Sequence, residues 1–356
     1  MDSANRDKGQ SSPSIKAIAE ACGLSRATVS YALRGHAKIP SSTRELVVKT
    51  AEGMGYRANR HMSRVMSDIR GRTGNYYKEN LGYLVHYKSS DQYYAWPTTI
   101  WKSVQKRAAE IGYGVDRLEL DDTKSSLQTC ERIIRSRGIR GIIIAPFTEA
   151  HIRLQIRVEN LAMVAIGHTL EYPDVHRIGR DIVHSFEKIA DHIQLEGYQR
   201  VAYASELSHE DRMDKLPLSR YLMKQWDTGL FSVEPFVRDL SEFGPSQFLE
   251  WFEAKRPDMI ITFQGNLIKW LELGGYHVPA DVSVIRLNSD GVDTPDSGVY
   301  ANYESLGETA VEQLSGLVER GEFGIPTAPK TVLVKGLYNE GRTLRKPLSK
   351  LAHAVC

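Results

Sequence analysis

Residues 25–31 read Ser-Arg-Ala-Thr-Val-Ser-Tyr, a run whose side chains suit base edges and phosphates. Arg26 can donate two hydrogen bonds to a guanine edge in a major groove, Ala27 can set a methyl group against thymine, and Tyr31 follows about one turn further along the same face. Ser25, Thr28 and Ser30 carry short hydroxyls suited to phosphate oxygens. Lys16, Arg34, Lys38 and Arg44 add cationic charge around the run, which would make affinity for a polyanion fall steeply with salt. The charge balance points the same way, with 14 Lys and Arg against 7 Asp and Glu up to Asn80 and 32 against 37 beyond it. The net charge of +2 thus averages a basic N-terminal segment with a slightly acidic remainder. The competing reading of the segment is a solvated helical bundle used for protein contacts.

These side chains need helices to present them. Ile15, Ile18 and Ala19 share one helical face, Ala21 and Cys22 continue it, and Gly23 supplies a break. Ser25 is a good N-cap for Arg26–Leu33, whose Val29, Ala32 and Leu33 form an inward stripe. Gly35–Pro40 reads as a loop. Ser42-Thr43-Arg44-Glu45 fits a capping box opening a third helix, with Leu46, Val47, Thr50, Ala51 and Met54 as its apolar face before Gly55. Three short helices with one glycine turn have the proportions of a helix-turn-helix, whose second helix enters the major groove. Met62, Val65, Met66 and Ile69 then recur at three- and four-residue steps, a marginal helix in need of support, and Gly71, Gly74 and Asn75 make a linker.

From Leu81 the pattern becomes strands alternating with amphipathic helices. Leu81–His86, Gly141–Ala145, Met163–Ile166, Arg200–Ala204, Met259–Phe263, Val282–Leu287 and Thr331–Lys335 are strand candidates, separated by helices such as Ile100–Gly112 and Phe186–Gly197. Continuous apolar strands of this kind argue for parallel sheets covered on both faces, and the length argues for two similar lobes. Ligands in such sheets bind beyond the carboxyl ends of the strands.

Other classes recede. No stretch approaches the roughly 20 apolar residues of a membrane helix, and the start MDSANRDKGQSSPS lacks a signal peptide's apolar run, so a cytoplasmic chain with no membrane partner is expected. Cys22, Cys130 and Cys356 show no ligand or disulfide spacing, and no metal or cofactor is expected. GxxxxGK[ST], GxSxG, HExxH and a helix-opening GxGxxG are absent, which lowers an enzyme reading.

The segments IKAIAEACGLSRATVSYALRG and IPSSTRELVVKTAEGMGYRAN resemble the DNA-binding headpiece of the LacI/GalR family of bacterial transcription regulators. The likeness is dense over Ser14–Asn59 and looser beyond, through PDMII (Pro257–Ile261) and DVSVI (Asp281–Ile285). It implies an all-α helix-turn-helix headpiece plus an α/β periplasmic-binding-protein-like core of two Rossmann-like lobes. The expected layout is a disordered tail (1–13), the headpiece (14–60), a hinge helix and linker (61–80), the core (81–346) and a C-terminal tail (347–356). Within the core, residues 81–182 and 301–329 would form the N-lobe, and 183–300 and 330–346 the C-lobe.

The resemblance further implies a homodimer reading a pseudo-palindromic operator in double-stranded DNA, probed by a small-molecule effector in the inter-lobe cleft, with a sugar or sugar derivative as the class to consider. Arg26, Ala27 and Tyr31 fall on base-reading positions, and Ser25, Thr28, Ser30, Thr43 and Asn59 on phosphate-contact positions. In the hinge, Val65, flanked by Met62 and Met66, occupies the place of the leucine that wedges the minor groove, and Ala58 replaces the usual proline. Tyr93, Tyr94, Asp181, Arg212, Gln264, Asn288 and Tyr303 map to effector positions, with Trp96 adding to the aromatic set. Gln264 and Asn288 stand where sugar-binding members present Asn and Asp, and Gly167 where many have another aspartate, so a strong acceptor for paired sugar hydroxyls is missing. His86, His168 and His209 read as scattered structural histidines. Two other classes remain: an enzyme whose sugar- or nucleotide-processing core is fused to a DNA-binding headpiece, and a solute-binding protein for transport.

Overall fold

The computed structural model describes residues 15–33, 39–54, 79–86, 95–121, 124–157 and 160–345, in a chain that divides into two compact units, Met1–Tyr76 and Tyr77–Cys356. Arg34, Lys38, Asn59, Met62, Val65, Met66, Tyr93 and Tyr94 lie outside the described residues, as do both expected tails and nearly all of the expected hinge and linker.

The first unit holds α1 (Ile15–Cys22), α2 (Arg26–Leu33) and α3 (Ser41–Gly53). Each contributes two side chains to one small core: Ile18 and Ala19, Val29 and Ala32, Val47 and Ala51. Gly23 turns the chain after α1 at φ +66°, a region costly for residues with a Cβ, and the Leu24 N–H reaches back to the Ala19 carbonyl at 3.0 Å. The Ser25 hydroxyl accepts the Thr28 N–H at 3.1 Å, so α2 is capped as its sequence requires.

The third helix differs from expectation in its start, one residue before Ser42, and in its inward face. Leu46 is 51% exposed and Met54 38%, and Ala21 of α1 is exposed too. The reason is geometric. Neighbouring helix positions lie about 100° apart, so against two short helices Val47 and its i+4 partner Ala51 fill the buried stripe and Leu46 is turned out of it.

In the second unit, β1 (Asn80–His86), α4 (Trp96–Glu110), β2 (Gly114–Leu120), α5 (Lys124–Arg137), β3 (Gly141–Ile144), β4 (Ile152–Arg153), β5 (Ala162–Ile166), β6 (Leu170–Tyr172) and β7 (His176–Arg180) build the first lobe. The second lobe follows with α6 (Ile182–Leu195), β8 (Val201–Glu206), α7 (Leu207–Asp211), α8 (Leu216–Thr228), β9 (Phe236–Arg238), α9 (Pro245–Lys255), β10 (Met259–Thr262), α10 (Asn266–Leu273), β11 (Ser283–Ser289) and β12 (Gly298–Tyr300). The chain then adds α11 (Tyr303–Arg320), β13 (Thr331–Val334) and β14 (Leu337–Asn339).

One six-stranded sheet has the order β13-β7-β5-β3-β1-β2, parallel throughout. The other runs β14-β12-β11-β10-β8-β9 and is parallel except where β14 meets β12. The central strands GIII, AMVAI and MIIT are buried along their whole length, as strands covered on both faces must be.

The described chain passes between the lobes at Asp181, at Ala301–Asn302 and at Lys335–Gly336, because α11 packs with the first lobe and β13 pairs with β7 there. That last pairing corrects the expected boundary. Residues 330–346 do not all belong to the C-lobe; Thr331–Val334 complete the N-lobe sheet, and only β14 joins the C-lobe sheet. An apolar TVLV strand can serve either sheet, and the neighbour with an open edge decides. At the third passage a Cβ on Gly336 would lie 2.3 Å from Val299 Cγ1 and 2.9 Å from the Tyr300 carbonyl, so this passage is packed closely against β12. Gly336→Val is expected to destabilise the core by roughly 1–3 kcal/mol in urea unfolding, and an unchanged midpoint would show that the hinge relaxes freely.

Candidate functional site

In the first unit, α2 turns Arg26, Ala27 and Tyr31 outward, Tyr31 at 47% exposure, while Val29 and Ala32 anchor the opposite face. Ser25 is also exposed, but its hydroxyl is engaged at the helix start, with Thr28 Oγ1 at 2.9 Å and the Thr28 N–H. Thr28, Ser30 and Thr43 are half-buried. Lys16 is exposed and meets Glu20 one turn on at 3.9 Å, an exposed pair worth little and readily given up to a phosphate.

In the second unit, a cleft of about 610 Å³ lies between the lobes. Its polar lining comes from just past the carboxyl ends of strands: His168 and Thr169 after β5, Arg180 ending β7, Glu206 ending β8, Gln264 after β10, and Asn288 and Ser289 ending β11. Trp96 and Tyr303, the first residues of α4 and α11, stack with ring centroids 6.3 Å apart and form an aromatic wall.

Several contacts join the lobes across this cleft. The Tyr303 hydroxyl donates to Asn288 Oδ1 at 3.0 Å, and Arg180 Nη2 donates to the Leu287 carbonyl at 2.7 Å. His168 Nδ1 stands 3.0 Å from Asp214 Oδ2, and the Arg212 guanidinium lies over the Trp96 ring at 5.6 Å. Gln264 Oε1 accepts from Thr262 Oγ1 at 3.1 Å, which turns its amide NH2 toward His209 Nδ1 at 3.2 Å and leaves the imidazole proton on Nε2. Burial, then the nearby Arg212 charge, lowers the pKa of His209 against the pull of Glu206.

Arg212, Gln264, Asn288 and Tyr303 all line this cleft. Asp181 does not. Its carboxylate caps α6, accepting the His184 N–H at 2.8 Å, and its own N–H donates to the Val334 carbonyl at 2.9 Å, so it holds the hinge rather than lining the cavity. A second correction concerns the histidines: His168 and His209 both line the cleft, while His86 packs beside Phe147. Arg180, Glu206 and Arg286 were missed. Arg180 ends the strand His-Arg-Ile-Gly-Arg, too polar to be read as a strand, so the strand-end rule had nothing to act on. Among the described residues no group of His, Cys, Asp or Glu is arranged to hold a metal ion, and no helix is long and apolar enough to cross a membrane.

Comparison with known proteins agrees with both units. The family described as bacterial regulatory proteins, lacI family, matches residues 14–59, and that of periplasmic binding proteins and sugar binding domain of LacI family matches residues 78–213. The chain belongs to the LacI family. Among its relatives, the HTH-type transcriptional regulator GalR of Lacticaseibacillus casei is 23% identical over 86% of this chain and 92% of that protein. PtxS of Pseudomonas putida, another HTH-type transcriptional regulator, is 25% identical over 87% and 90%. The LacI-family architecture is matched by the Lac repressor dimer bound to operator and the anti-inducer ONPF, at 17% identity and TM-score 0.55 over 94% of this chain and 100% of that one. The transcriptional regulator CelR in complex with cellobiose matches at 16% identity and TM-score 0.57, over 93% and 99%.

The partly buried imidazoles of this LacI-family core give it a defined response to acid. Burial lowers the pKa of His168, His176, His192 and His209 below the ordinary 6.5, so below that pH the unfolded chain binds more protons than the folded one. Glu210, whose pKa burial raises, acts in the opposite sense but is a single group. The melting temperature is therefore expected to fall between about pH 7.5 and 5.5, with a smaller fall in His209→Gln. A flat or rising profile in calorimetry would contradict this.

Proposed function

We propose that this chain is a sequence-specific transcriptional regulator that binds a pseudo-palindromic operator as a homodimer and repositions its lobes in response to a small effector. One observation carries the reading: a capped helix displaying Arg26, Ala27 and Tyr31 shares a chain with a cleft whose walls come from two hinged lobes. An effector that fits one lobe arrangement better than another biases the spacing of two headpieces, and so the affinity for paired half-sites. Repression is the direct consequence of an operator that overlaps a promoter.

In this reading Arg26, Ala27 and Tyr31 read bases. Lys16, Ser25, Thr28, Ser30, Arg34, Lys38, Thr43 and Asn59 hold phosphates, Ser25 doing so while its hydroxyl also caps α2. Met62, Val65 and Met66 supply the apolar wedge for the minor groove. Arg212, Gln264, Asn288 and Tyr303, with Tyr93 and Tyr94, contact the effector. The names of the relatives, all transcriptional regulators, support a binding role over turnover.

Selection from random duplex DNA tests the proposal directly by yielding a two-fold symmetric site. Arg26→Ala should relax preference at one base pair per half-site, at a cost of roughly 1–3 kcal/mol; an unchanged site would remove Arg26 from base reading. Arg212→Ala should shift the effector response to higher concentrations while the selected site stays the same. Light scattering should report dimers, and a stable tetramer would refute that state.

A further inference from the structure

Three arginines line the cleft, and they are not equivalent. Arg286 is neutralised from within, its Nη1 lying 3.1 Å from Asp290 Oδ2 and 2.8 Å from Asp296 Oδ2. Arg212 rests on the Trp96 ring. Arg180 has no carboxylate within salt-bridge distance among the described residues. Its guanidinium meets the Leu287 carbonyl and, at 5.7 Å, the Phe263 ring, in surroundings that burial makes unfavourable to charge. The adjacent Asp181 carboxylate is committed to the α6 cap, and Glu206 accepts from Ser208 and lies 4.0 Å from His209. Arg180 is half-buried and opens onto the cavity, so a cation with no described carboxylate beside it stands where a ligand can supply the matching charge.

We infer that the effector is a small polyhydroxylated molecule bearing an anionic group, a carboxylate or a phosphate, and that Arg180 is its counter-ion. The inference rests on the reading of the core as an effector site and specifies what that site selects. Arg180, at a strand end between the lobes, presents planar N–H donors to the anion, and Arg212 adds a second cation near His209. The Trp96 and Tyr303 rings offer an apolar wall for a sugar face, and Asn288 and Gln264, neutral amides, offer hydrogen bonds without opposing the anion. The cleft would thus discriminate by charge first and by hydroxyl pattern second.

The test offers glucose, galactose and mannose to the full-length protein, each as the neutral hexose, the uronic acid and the 6-phosphate, with affinity read by calorimetry. At least one acid or phosphate should bind about ten- to a hundredfold more tightly than its neutral parent, and which series wins separates carboxylate from phosphate. Arg180→Gln should abolish that preference, and it should melt no lower than the parent protein without ligand, since it removes an uncompensated charge. Arg180→Lys should retain part of the preference. Neutral hexoses binding as tightly as their anionic forms, or an undiminished preference in Arg180→Gln, would overturn the anion while leaving the effector site standing. Should none of the compounds bind, the hexose-sized effector reading falls and the inference falls with it.

Discussion

Parallel strands deliver their carboxyl ends to one edge of a sheet, and in this core two such edges face each other. The rest follows from that constraint. Backbone polar groups at the strand ends, no longer paired within a ladder, and the side chains immediately beyond them become the walls of a shared cavity. His168, Arg180, Glu206, Gln264 and Asn288 are far apart in sequence, yet each occupies the same kind of place, at or just past a strand end. The apolar strands and the helices over them are buried to hold those ends in position, the pairing of α4 with α11 and the buried Ile100, Val104, Ala310 and Leu314 between them being one example.

Two lobes linked by three backbone passages can differ in arrangement only if the contacts across the cleft are replaceable. Among the described contacts are Tyr303 with Asn288, Arg180 with the Leu287 carbonyl, His168 with Asp214, and Arg212 on Trp96. Each is made by a group that also lines or borders the cavity, so an occupant competes with it or completes it. This coupling gives a ligand differential affinity for lobe arrangements, without which no effector could shift anything. The hinge itself is firmer, with Asp181 tied to both α6 and Val334, and Gly336 laid against Val299.

The headpiece was legible because its logic is local. Ser25 caps the helix that begins one residue later, Gly23 makes the turn two residues earlier, and Val29 and Ala32 lie on one face of a single helix; each relation spans a handful of residues. The central strands were legible for a similar reason, since a strand buried on both faces is apolar at every position. Legibility failed where burial alternates or is interrupted. HRIGR is an interior strand, but its two arginines and its histidine read as surface, and their neighbours in the fold, Gly167, Leu170 and Leu287 for the arginines and Lys330 for the histidine, come from distant segments. Leu46 failed in the other direction, as an apolar residue that the small headpiece core has no room to cover.

The sequence by itself determined the headpiece, the two-lobed α/β core and the residue types offered to DNA, because helical period, caps and apolar runs are properties of short segments. Only the tertiary structure decided that Asp181 serves the hinge, that His168 and His209 face the cleft, and that Arg180 stands there with no carboxylate in salt-bridge distance among the described residues. A charge is compensated or not according to what lies within a few ångströms of it. Spacing along the chain does not carry that information; the meeting of strand ends does.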